Sequence, residues 1–166
     1  MDASAQTIPE SLLAWYDANA RSLPWRSPPG TVPPDPYRVW LAEIMLQQTQ
    51  VAAVLRYYDT FLAAFPGVMD LADAEPDAVL HRWSGLGYYA RARNLAKTAK
   101  ICVAEHAGQL PDKAAALTAL PGIGESTANA IVSQSQDKPA VVLDGNVKRV
   151  LARHFVVRGY PGEKRI

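Results

Sequence analysis

A chain of 166 residues, 49% hydrophobic and 20% charged, can bury one good core. No apolar run reaches the ~20 residues of a membrane span, the first ten residues lack the basic and apolar regions of a secretory signal, and the lone Cys102 provides neither a disulfide framework nor a self-contained cysteine metal site. These features lead to the expectation of a cytoplasmic protein with no membrane partner. The formal net charge of +1 does not announce a nucleic-acid binder, yet ten of the 17 basic residues lie in two short segments, 91–100 and 148–165, which could form a basic stripe or only a solvated helix face.

Thr7-Ile8-Pro9-Glu10 has capping-box spacing with an early proline, and Leu12, Leu13, Trp15 and Tyr16 supply the apolar stripe of a helix ending near residues 19–21. Residues 27–36 hold five prolines and a glycine and read as an irregular connection. Asp35-Pro36 restarts a helix as cap and first turn, running through Tyr37, Val39, Trp40, Leu41, Ile44, Met45 and Leu46. Glu43 is out of place there, because its neighbours three and four positions away include Val39, Trp40 and Leu46. Desolvation on such a face favours the protonated form, as a general acid needs; the alternative is a glutamate at the rim of the core.

The polar run Gln47-Gln48-Thr49-Gln50 follows, with Thr49 as the expected cap of a helix over 51–65 that Pro66-Gly67 ends. Asp70 and Pro76 mark the starts of short helices up to residue 83. An internal echo appears next: Leu80, Trp83, Gly85, Leu86 and Gly87 lie 37 positions before Leu117, Leu120, Gly122, Ile123 and Gly124. Each set is expected to open a helix whose free N–H groups could grip a phosphate. Tyr88 and Tyr89 add aromatic faces beside the arginines, with one of the two expected in the core. The following helix is expected to run to Gly108 with Cys102 as a buried filler, and His81, His106 and His154 are isolated and without assigned chemistry.

The chain is organised around residues 117–147. Leu117 and Leu120 end one helix, Gly122 and Gly124 can both take positive φ, and Ile123 between them can point back. Glu125-Ser126-Thr127 begins the next helix, whose N-terminus favours an anion, most obviously a DNA phosphate. A corner with no ligand would read the same way. Pro139 and Val141-Val142-Leu143 suggest an extended approach to Asp144, which as an N-cap would satisfy N–H groups at Asn146 or Val147.

Leu-Pro-Gly-Ile-Gly at 120–124, Ser-Thr-Ala at 126–128 and the acid opening Asp144-Gly145-Asn146 together resemble the helix–hairpin–helix DNA glycosylases of the endonuclease III superfamily. LQQTQ at 46–50 and GLGYYARARN at 85–94 narrow the resemblance to adenine DNA glycosylases of the MutY kind. The resemblance implies an all-α helical-bundle fold: a six-helix domain over 28–138, with residues 1–27 and 139–166 as incomplete pieces of the family's iron–sulfur-cluster domain. It implies double-stranded DNA with adenine opposite 8-oxoguanine or guanine as the partner of a monomeric enzyme.

By the same resemblance, Glu43 protonates adenine and later assists water, Asp144 stabilises the sugar cation, and Arg26 and Asn146 lie near the site. Gln48 fills the space left by the extruded base, Tyr88 wedges beside the damaged guanine, and Gly122, Gly124 and Thr127 hold phosphate. Ser126 stands where strand-nicking relatives carry a lysine nucleophile, so base removal with little strand cleavage is expected. Glu125 departs from relatives with arginine there and could weaken DNA binding. The [4Fe-4S] cluster expected of the full-length family has none of its four cysteine ligands here, so a fragment is expected rather than a cluster-free enzyme. The competing readings are a pyrimidine-damage glycosylase with lyase action, and a non-catalytic helix–hairpin–helix binding module.

Overall fold

The first and last helices set the frame of the molecule by what they leave uncovered. In the computed structural model, which describes residues 7–159, α1 (Ile8–Asn19) and α9 (Gly145–His154) contribute no buried residue. Leu12, Leu13 and Trp15 of α1 are exposed, as are Val150 and Leu151 of α9 and Phe155 just beyond it. Between them, α2 (Pro36–Leu46), α3 (Val51–Ala64), α4 (Val68–Asp73), α5 (Pro76–Trp83), α6 (Ala90–Glu105), α7 (Ala114–Thr118) and α8 (Glu125–Gln136) share one core. The described residues form an all-α fold with no strand.

The axis of the core is α2. Its start is fixed locally, because Pro36 pre-sets the first turn and the Asp35 carboxylate accepts the N–H groups of Tyr37 and Arg38 at 2.8 and 3.3 Å. Val39, Trp40, Leu41, Ala42 and Met45 are sealed from solvent, an apolar surface too broad for one neighbour, and α2 accordingly packs against α8, α3 and α6. Edge-on aromatic pairs thicken the core, with Trp25–Tyr58 at 5.0 Å and Phe61–Trp83 at 5.7 Å between centroids. The buried hydroxyls are satisfied across the chain: Tyr37 Oη donates to the Phe65 carbonyl at 2.6 Å and Tyr58 Oη to that of Arg38 at 3.0 Å.

Three boundaries differ from the sequence expectations. The N-cap of α3 is Gln50, because the Thr49 hydroxyl turns back to donate to the Gln47 carbonyl at 3.3 Å. The helix expected from Asp70 begins two residues earlier at Val68, which is buried and draws the chain in. α6 stops at Glu105, where left-handed residues Ala107 and Gly108 let the N–H groups of His106 and Gly108 share the Cys102 carbonyl at 2.9 Å. Val141 to Leu143 lead into Asp144 outside any helix, and Val141 stands exposed while its carbonyl accepts from Asn129 Nδ2 at 2.8 Å. Cys102 is fully buried, as expected of a filler, and burial pushes its thiol up to about 11.

Candidate active site and DNA-binding face

The hairpin joins α7 to α8 through Pro121-Gly122-Ile123-Gly124, with Leu117, Leu120 and Ile123 buried beneath it. Gly122 has φ of +80°, and a Cβ there would stand 3.0 Å from Asn94 Cβ, so both backbone and space require glycine. Gly124 does not share that conformation: its φ of −86° is the extended geometry of the α8 N-cap. The expectation of two left-handed glycines fails for this reason. Two donors tie the hairpin to the body, Thr98 Oγ1 to the Pro121 carbonyl at 3.0 Å and Gln47 Nε2 to the Gly122 carbonyl at 3.2 Å. Ser126 and Thr127 lie half-buried in the first turn of α8.

Two turns further along α8, Glu43 reaches from α2 and accepts a hydrogen bond on Oε1 from Gln134 Nε2 at 3.0 Å. Burial raises its carboxyl above the ordinary value of 4.5; the Gln134 amide and the positive charge of Arg26 oppose that rise, and the negative charge of Asp144 adds to it. The fold therefore brings Glu43, Arg26 and Asp144 into one electrostatic neighbourhood from three separate stretches. Arg26 is placed by its neighbours, since Leu23 and Trp25 are buried and the Arg26 N–H closes a turn on the Leu23 carbonyl at 3.0 Å. Arg26 and Gln134 border an open cleft of about 710 Å³ that Tyr16, Pro28 and Asp137 also line.

Asp144 caps α9, its Oδ1 accepting the N–H groups of Asn146 at 3.0 Å and Val147 at 2.8 Å. Capping and proximity to Glu43 are thus compatible. Asn146 is turned elsewhere, its Oδ1 accepting from Arg149 Nη2 at 3.1 Å on the next turn of α9. Gln134 was not among the residues expected at the site. The signal was available in its neighbours, because Ala130 and Ile131, four and three positions earlier, are buried apolar residues of the same helix.

A second open groove, about 740 Å³, lies beyond the hairpin and is lined by Gln47, Gln48, Tyr88, Tyr89, Ala90 and Arg91. Gln48 and Tyr88 both carry left-handed backbone, with φ of 56° and 48°, and both side chains are exposed. Neither tyrosine enters the core: Tyr88 is 60% and Tyr89 41% exposed, and the left-handed backbone at Tyr88 takes its side chain off the helical path. Arg91 behaves in the opposite way from the expected basic stripe, being buried.

The internal echo is real only as far as its bend. The Leu86 N–H reaches the Trp83 carbonyl at 3.1 Å, and the Ile123 N–H reaches that of Leu120 at 3.2 Å. Thereafter Gly87 is left-handed where Gly124 is not, and α6 begins only at Ala90 whereas α8 begins directly at Glu125. Only the second turn presents a helix N-terminus. A cluster site is not offered either: among the described residues no group of three or more His, Cys, Asp or Glu could hold a metal, and Cys102 is sealed in the core.

A family model for the HhH-GPD superfamily of base excision DNA repair proteins matches residues 41–166. The chain belongs to that superfamily. As an HhH-GPD chain it is 46% identical over 149 residues to an adenine DNA glycosylase of Buchnera aphidicola, which spans 89% of this chain and 41% of the relative. It is 45% identical over 147 residues to an adenine DNA glycosylase of Homo sapiens, covering 86% of this chain and 27% of that protein. The chain thus spans less than half the length of either relative. Among solved structures, a thermostable thymine-DNA glycosylase superposes with a TM-score of 0.76 at 27% identity, covering 85% of this chain and 63% of that one. An endonuclease III–DNA complex superposes with a TM-score of 0.70 at 26% identity, covering 75% and 58%.

Proposed function

We propose that this HhH-GPD chain carries the base-excising centre of an adenine DNA glycosylase, hydrolysing the N-glycosidic bond of adenine opposite 8-oxoguanine or guanine in duplex DNA. The observation that carries the reading is Glu43: a half-buried carboxyl, held by Gln134, with Arg26 and Asp144 acting on it, and with Arg26 and Gln134 themselves lining an open cleft. Similarity to adenine DNA glycosylases at 44–46% identity supports adenine as the base.

Cleaving a glycosidic bond calls for one carboxyl that holds a proton and one carboxylate that faces the developing sugar cation. Glu43 is the acid in this scheme. It delivers its proton to adenine N7, the C1′–N9 bond breaks with its electrons leaving on adenine, and the resulting carboxylate takes a proton from the water that adds to C1′. Asp144 supplies the facing negative charge, held in place by its two capping bonds. Arg26 keeps charge balance beside Glu43 after the proton has left. The adenine reaches these groups only outside the stack, so Gln48 and Tyr88 act on the opened base pair while Gly122, Gly124 and Thr127 receive phosphate at the hairpin. Ser126 offers no amine to attack the sugar, which makes the reaction base removal without strand cleavage.

The test is a single-turnover reaction on a duplex with one adenine opposite 8-oxoguanine. Free adenine should appear by chromatography, with the strand intact until alkali is added. Strand breakage before alkali would replace this reading with that of a lyase, and tight binding without adenine release would replace it with a binding module.

A further inference from the structure

Arg91 is buried, yet its guanidinium binds no carboxylate among the described residues; it donates instead to five backbone carbonyls. Nη1 reaches Ile44, Met45 and Gln47 at 3.1, 2.7 and 2.6 Å, and Nη2 reaches Leu86 and Gly87 at 3.1 and 3.2 Å. The guanidinium also lies 5.4 Å from the ring centroids of both Trp83 and Tyr88. The first three acceptors end α2, where carbonyls lack helical partners and the helix dipole is negative, so a cation is favoured there. The other two belong to the turn before α6. One rigid, planar fork therefore locks two turns that are some 40 positions apart in the chain, a task for which the compact ammonium of lysine is unsuited.

What these turns carry is unusual. Directly after the gripped carbonyl of Gln47 comes Gln48, and directly after that of Gly87 comes Tyr88. Both are non-glycine residues in left-handed backbone, a conformation that persists only where surrounding contacts over-determine it. Both side chains project into the same open groove. Arg91 holds the carbonyl immediately before each of them, which ties the two conformations to one side chain.

We propose that Arg91 is a positioning residue that sets Gln48 and Tyr88 in register as a paired wedge before DNA arrives. This rests on the reading above that these two side chains act on the opened base pair. Without the guanidinium each turn relaxes toward ordinary backbone, and the fraction of molecules with both wedges placed falls roughly tenfold per turn.

Three arms test it. In the wild-type chain, native-state amide exchange should show residues 47–50 and 85–89 opening together as one unit; independent opening would overturn the proposal without any variant having to fold. In Arg91→Lys and Arg91→Met, affinity for a duplex with adenine opposite 8-oxoguanine should fall about ten- to hundredfold while affinity for the fully paired duplex stays within about twofold. Leu71→Ala, a core truncation in α4, serves as a control for lost stability and should leave that ratio unchanged. A ratio in the Arg91 variants equal to that of the control overturns the positioning role. Gln48→Ala and Tyr88→Ala separate the two claims: if neither weakens binding to the mispaired duplex, the wedge reading falls and this inference falls with it. If both weaken it and the Arg91 variants do not, only the positioning role is lost.

Discussion

Replacing Glu43 by glutamine should make the protein more stable while it disables the chemistry. The amide retains an oxygen to accept the 3.0 Å bond from Gln134, so packing and that bond survive. What disappears is an ionised carboxylate in a site whose burial works against charge, together with its attraction to Arg26 and its repulsion from Asp144. Relief of desolvation outweighs the lost attraction, because a partly exposed ion pair contributes only about 0–1 kcal/mol. A net gain of about 1 kcal/mol, typical of a destabilising functional group neutralised, raises Tm by about 2–4 °C for a chain of this size. The pH dependence gives the sign. The folded carboxyl binds its proton more tightly than the unfolded one, whose ordinary value is 4.5, so the folded state holds more protons between the two values and stability falls as pH rises through them. The advantage of Glu43→Gln is therefore largest near pH 8 and vanishes below 4.5. Thermal unfolding followed by circular dichroism across that range measures it. A Glu43→Gln protein that is less stable at pH 8, or whose difference from wild type does not change with pH, would refute the reasoning.

Other substitutions probe separate parts of the structure. Gln134→Leu removes the amide that opposes protonation of Glu43, so the alkaline limb of a single-turnover pH–rate profile should move to higher pH; an unmoved limb would uncouple the two residues. Gly122→Ala must hold an alanine at φ of +80° and crowd Asn94, and should cost about 1–3 kcal/mol in denaturant unfolding, whereas Gly124→Ala, whose Cβ would meet nothing within 4 Å, should cost much less. Equal losses would contradict the hairpin geometry. Leu12→Glu with Trp15→Glu should reduce binding of an apolar fluorescent dye yet change stability by no more than about 0.5 kcal/mol, because α1 contributes nothing to the core. A large loss of stability would show that α1 is packed.

What could be read in the sequence was local or periodic. Asp35-Pro36 and Pro76 start helices because capping and proline geometry act within a few residues, and the partial burial of Glu43 followed from apolar neighbours at helical spacing. The apolar stripe of α1 was also legible, but not that the described residues leave it uncovered. Arg91 was misread as part of a basic surface, since its partners are backbone carbonyls at 44–47 and 86–87 that no side-chain pattern announces. The tyrosine pair failed similarly: helical spacing placed one of them inside, while the left-handed backbone at Tyr88 takes it off the helical path altogether. Gln134 was missed although Ala130 and Ile131 mark it as a polar residue beside an apolar face, because that pattern does not name its partner 91 positions away.

The most direct measurement is the amount of free adenine released under single turnover from a duplex bearing adenine opposite 8-oxoguanine, with wild type, Glu43→Gln and Asp144→Asn compared at saturating protein. The expected result is release by wild type and rates lower by about 10²- to 10⁴-fold in both variants, with duplex affinity preserved. Release by Glu43→Gln at the wild-type rate would contradict the account.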